Sequence, residues 1–217
     1  MTFHQGQPVI RAGAPLSKAR VVLILIHGRG AGAQDILGLG EAVAEGSRDV
    51  AFVAPQAADN SWYPQRFLVP AEQNEPHLSS ALGVIEGLVD EATLAGVPLR
   101  NVLLAGFSQG ACLSLEFIAR HPARYAGVFG LSGALIGPLE SKTHGGGLEA
   151  TPVYLGCSDR DAFIPLEHVE KTAEVLGLMG AEVTKSIFPG MGHIVNGEEL
   201  AAMKTRVRTL VSGSPSR

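Results

Sequence analysis

Short aliphatic runs and longer amphipathic stretches alternate along this chain from residue 21 onward, and few folds accommodate that alternation. The apolar runs are 21–26 (VVLILI), 50–54 (VAFVA), 101–105 (NVLLA), 126–131 (AGVFGL), 152–155 (PVYL) and 183–188 (VTKSIF). Continuous or near-continuous runs of this length predict strands covered on both faces, as in a parallel sheet. Between and after them, residues 34–45, 78–95, 109–120, 166–179 and 196–211 have the spacing of helices. Alternating strand and helix imply right-handed crossovers and an open, mostly parallel sheet with helices on both faces, an α/β fold. At 217 residues, 46% of them hydrophobic, the chain is read as one domain over 1–217, with about the first 18 and last 6 residues peripheral.

Composition excludes several function classes. A net charge of −4 with no Lys/Arg run gives no electrostatic case for nucleic acid. The longest apolar run, six residues, is too short to span a bilayer, and the N-terminus MTFHQGQPVIRAG lacks the pattern of a signal peptide. Two cysteines without metal-ligand spacing point to no metal site and to the cytoplasm.

The chemistry begins where the run 101–105 ends. Gly106-Phe107-Ser108-Gln109-Gly110 satisfies G-x-S-x-G with a strand before it and a helix after it. In such a turn, side chains two before and two after the serine would collide, so glycines are required and the serine hydroxyl is lifted off the sheet. Ser108 is the candidate nucleophile, and a hydroxyl needs an imidazole to take its proton. His193, in FPGMGH after the last strand, opens at the same sheet edge. His27 reads as a brace for a turn; His4, His77, His121, His144 and His168 read as solvated or capping side chains. The base needs a carboxylate to orient it. Asp159 and Asp161 compete after the strand ending near Leu155, and Asp161, four residues before the helix-opening Pro165, is preferred. The order Ser108, Asp161, His193 is that of the α/β-hydrolases. Oxyanion donors are expected from the backbone N–H of Gln109, directly after the serine, and of Arg29 in His27-Gly28-Arg29-Gly30.

Two loops are longer than the usual length of about four to six residues, 55–75 and 133–151. The first leaves a strand's carboxyl end, where ligands of open α/β sheets bind. Its Trp62, Tyr63 and Phe67 are candidates for an acyl pocket or, equally, for a satellite core. Cys112 reads as a small buried hydrophobe, and 74–76 (NEP) as a helix start. HGGG at 144–147 reads as a flexible loop, because it follows the nucleophile where an oxyanion sequence of that type precedes it.

Taken together, HGRGA, APQAADNSWYP, NEP, LLAGFSQGACLSLEF, LSGALIG, D-x-x-I-P and FPGMGH resemble the phospholipase/carboxylesterase family of α/β-hydrolases, which includes bacterial carboxylesterases and acyl-protein thioesterases. The likeness runs from about residue 20 to about 210. It implies an α/β-hydrolase without a lid domain, cleaving ester or thioester bonds of small acyl substrates through an acyl-enzyme, with no cofactor and often as a homodimer. Carried over by motif, it implies Ser108, Asp161 and His193 as the triad and Arg29 and Gln109 as oxyanion donors. Arg29, Ala162 and Cys157-Ser158 depart from the eukaryotic thioesterase pattern and point to a smaller, bacterial substrate. A lactone hydrolase of the dienelactone type and a non-catalytic ligand-binding relative are the alternatives. The former typically carries cysteine at the elbow, and the latter usually lacks one member of the triad.

Overall fold

Each of the six apolar runs becomes a strand in the computed structural model, which describes residues 3–138 and 147–213. In chain order the elements are β1 (Val9–Gly13), β2 (Val21–Ile26), α1 (Ala33–Ala44), β3 (Val50–Pro55), α2 (His77–Leu94), β4 (Val102–Phe107), α3 (Gln109–Arg120), β5 (Gly127–Leu131), β6 (Pro152–Ser158), α4 (Leu166–Leu178), β7 (Glu182–Phe188) and α5 (Gly197–Ser212). The seven strands form one sheet in the order β1-β3-β2-β4-β5-β6-β7. All neighbours are parallel except β1, which runs antiparallel to β3.

The inner strands are apolar throughout because both of their faces are covered. All six residues of β2 are fully buried. Val22, Ile24 and Ile26 pack with Leu78 and Ile85 of α2, Leu113 and Phe117 of α3, and Val169 of α4. Val21, Leu23 and Leu25 point the other way, toward Ile36 and Leu37 of α1 and Met203 and Val207 of α5. Each such aliphatic side chain contributes about 1.5–3 kcal/mol when removed from water. Alternation of side chains across the strand thus divides one hydrophobic run between two cores.

The edge strand β1 has no counterpart among the expected strands. It is only five residues long, has Arg11 at its centre, and is half-buried, so its hydropathy carries no continuous run. Arg11 instead forms an ion pair with Glu91 of α2 at 2.7 Å. Helix ends fall within a residue of the expected positions. At α5, Asn196 caps the helix by accepting from the N–H groups of Glu198 and Glu199, and Glu199 returns a bond to the Asn196 N–H. Residues 144–146 of the HGGG stretch lie outside the described residues.

Candidate active site

The parallel register places the loops after β2, β4, β6 and β7 at one sheet edge, together with those after β3 and β5. Ser108 stands between β4 and α3 with φ at 55°, a left-handed value uncommon for serine. The flanking glycines account for it. A Cβ on Gly106 would lie 2.2 Å from the Gly110 carbonyl oxygen, and one on Gly110 would lie 2.1 Å from that of Ile26. The Ser108 N–H is fixed to the Leu131 carbonyl of β5 at 2.9 Å.

Ser108 Oγ lies 2.8 Å from His193 Nε2, and His193 Nδ1 lies 2.7 Å from Asp161 Oδ2. The structure therefore brings Asp161, not Asp159, to His193. Asp161 is fully buried at its side chain, whereas the His193 side chain is 17% exposed. Burial works against the Asp161 charge. Hydrogen bonds from His193 and from the N–H groups of Phe163 and Ile164 outweigh it and hold the carboxyl below its ordinary range. Asp159 does a different job, accepting the Gly190 N–H at 2.7 Å and so tethering the loop that carries His193. Phe107 and Phe163 pack against the His193 ring, with centroids 4.8 and 4.9 Å away.

Ser108 and His193 border a cavity of about 650 Å³. Tyr63 and Phe67 line it, as do Cys112, Ile164 and the oxyanion candidates Arg29 and Gln109. Trp62 does not. It is fully buried behind the wall, with its indole N–H on the His27 carbonyl. Gln109 heads α3, where the first N–H groups of a helix have no intrahelical partner. The Arg29 N–H donates to no acceptor among the described residues. Both residues border the same cavity as Ser108. Burial pushes the Cys112 thiol up to about 12, which keeps it a neutral packing group.

Residues 63–67 form one wall, and it is held by side chains that carry no such signal in the sequence. The Gln109 amide accepts the Trp62 N–H and donates to the Tyr63 carbonyl, both at 2.8 Å. The Arg29 guanidinium donates to the carbonyls of Tyr63, Pro64 and Gln65. Asn74 is buried and accepts the Gln65 N–H, so the NEP stretch braces the wall as well as preceding α2. His27 is a brace, as expected. Its Nε2 accepts the Ala57 N–H, which leaves Nδ1–H to donate to the Gly28 carbonyl, and burial lowers its pKa. His4 departs from its expected solvated role. It is 2% exposed, accepts the Ala58 N–H and donates to the Trp62 carbonyl. It comes from a segment without periodicity, and only the folded chain shows where it lands. Among the described residues no group of three or more His, Cys, Asp or Glu side chains is placed to hold a metal.

Residues 7–211 match the family model for Phospholipase/Carboxylesterase. The chain belongs to the phospholipase/carboxylesterase family. A crystal structure of a phospholipase/carboxylesterase from Dyadobacter fermentans is 34% identical, with a TM-score of 0.88, and the match covers 96% of this chain and 99% of that one. Acyl-protein thioesterase 1 of Yarrowia lipolytica is 26% identical over 214 residues, 89% of this chain and 93% of its own length. The Bacillus cereus carboxylesterase shares the fold, with a TM-score of 0.73 at 18% identity over 95% of each chain. This esterase is thus a serine hydrolase of carboxylic ester or thioester bonds. No helix among its described residues is long and apolar enough to cross a membrane.

Proposed function

We propose that the esterase cleaves its substrate through an acyl-enzyme on Ser108. The observation that carries this reading is the run of two short hydrogen bonds, Ser108 Oγ to His193 Nε2 and His193 Nδ1 to Asp161, at the cavity wall. Ser108 Oγ attacks the acyl carbon as His193 Nε2 takes its proton, and Asp161 stabilises the imidazolium that forms. The N–H groups of Arg29 and Gln109 receive the tetrahedral oxyanion, a role in which losing one donor costs about 10²–10³ in rate. Collapse breaks the bond to the alkoxide or thiolate, which leaves with the proton from His193. Water then repeats the cycle on acyl-Ser108 and releases the acid. Tyr63 and Phe67 supply the apolar surface for a small acyl chain. The two free cysteines, both buried, support placing this chemistry in a reducing cytoplasm.

Short 4-nitrophenyl esters test the reading. Ser108→Ala is expected to abolish their hydrolysis, and a fluorophosphonate is expected to add its mass to the peptide containing Ser108. Undiminished turnover in the variant, or an adduct elsewhere, overturns the assignment.

A further inference from the structure

The far end of the substrate is constrained by the charge around the cavity. Two arginines, Arg29 and Arg66, border it, and among the described residues no aspartate or glutamate does. The contrast is local, because acidic residues outnumber Lys and Arg by 21 to 17 in the whole chain. The carboxylate tied into the site, Asp161, is buried behind His193 and engaged by His193 and two backbone N–H groups.

The two arginines are held differently. The hydrogen bonds of Arg29 go to neutral carbonyls of the wall, so its donors are largely committed while, among the described residues, no carboxylate pairs with its charge. Arg66 reaches from the wall to the opposite side, where it donates one bond to the Phe163 carbonyl at 3.3 Å. Among the described residues it has no carboxylate partner, and its remaining donors are unengaged. A guanidinium offers five N–H groups in a fixed fork that fits the two oxygens of a carboxylate. Tied to a carbonyl across the cavity, Arg66 presents that fork beside an otherwise apolar surface of Phe67, Ala162 and Ile164.

We propose that the preferred substrates carry a carboxylate in addition to the scissile ester, bound by Arg66 and favoured by the charge of Arg29. Arg66 is then a specificity-determining residue of the site. The inference rests on the acyl-enzyme reading of Ser108 and specifies what that site accepts.

The test compares esters of matched length, followed by acid release in a pH-stat. Monomethyl adipate against methyl hexanoate places the charge on the acyl side. 4-Butanoyloxybutanoate against butyl butanoate places it on the alcohol side. The wild-type enzyme is expected to favour the charged member of at least one pair by about three- to tenfold in kcat/KM, the range of a partly exposed charge-assisted contact. That ratio falls toward one in Arg66→Gln, is partly retained in Arg66→Lys, and shrinks as salt is raised. A ratio of one or less in both pairs, or a preference that Arg66→Gln leaves intact, overturns the inference while neutral ester turnover upholds the hydrolase reading. Hydrolysis that persists in Ser108→Ala brings down both.

Discussion

Ser108 sits in a backbone conformation that side chains rarely adopt, and glycines two residues to either side make it feasible. The same local sterics do not choose between Asp159 and Asp161. The fold does, by placing Asp161 Oδ2 against His193 and Asp159 Oδ1 against the Gly190 N–H. Asp161→Asn is therefore expected to lower kcat by about 10³–10⁴, because an amide favours the wrong imidazole tautomer. Asp159→Asn keeps an oxygen for Gly190 and should cost far less. Steady-state kinetics of the two variants, side by side, decide this, and the reverse order refutes it. The lowered pKa of Asp161 fixes a sign as well. Its stabilising contribution is present above the ordinary carboxylate value of 3.8 and is lost as pH falls through its lower folded value.

At the scale of elements, the N-terminus of α3 and the wall after β3 behave as one unit, joined by the Gln109 side chain. Gln109 is nearly buried, and both ends of its amide are satisfied by the wall backbone. Truncation leaves the buried Trp62 N–H without its acceptor, at about 1–3 kcal/mol, whereas the Tyr63 carbonyl keeps the bonds from Arg29 and the Ser61 hydroxyl. Gln109→Ala retains the backbone N–H proposed for the oxyanion. It is expected to lower stability by about 1–3 kcal/mol, and to raise KM for longer acyl esters more than for acetate. Denaturant melts and a KM series over acyl length check both parts. A variant that loses kcat equally on all esters with unchanged KM contradicts the wall as the point of action.

For the molecule as a whole, one buried acid opposes the two-sided core. Glu199 of α5 is fully buried, with one oxygen on the Asn196 N–H and the other, against Gly156, unpartnered among the described residues. Burial raises its pKa from 4.5 to about 7. The folded state thus holds a proton that the unfolded chain releases between these values, so stability falls as pH rises across that window and is level above it. Glu199→Gln removes the titration while the amide oxygen still accepts from Asn196. The variant is expected to be more stable than wild type by about 1–2 kcal/mol at pH 8, with the gain fading toward pH 4. Chemical denaturation at several pH values measures it. A difference independent of pH, or one that grows on acidification, refutes the assignment.

Local rules determined the interior strands, the five helices and the tight turn at Ser108. Hydrophobic periodicity and Cβ sterics act over a few residues and are legible in VVLILI or GFSQG. The order Ser108, Asp161, His193 was equally visible, since each follows a strand whose carboxyl end the parallel topology directs to one edge. Other features depended on the tertiary structure. β1 is an edge strand recognisable only by its pairing with β3. His4 reaches the Trp62 carbonyl across 58 positions, Gln109 reaches the Trp62 N–H across 47, and Arg66 reaches Phe163 across 97. A polar side chain carries no periodic signal for such a bond, because its partner is defined only once the sheet has brought distant loops together.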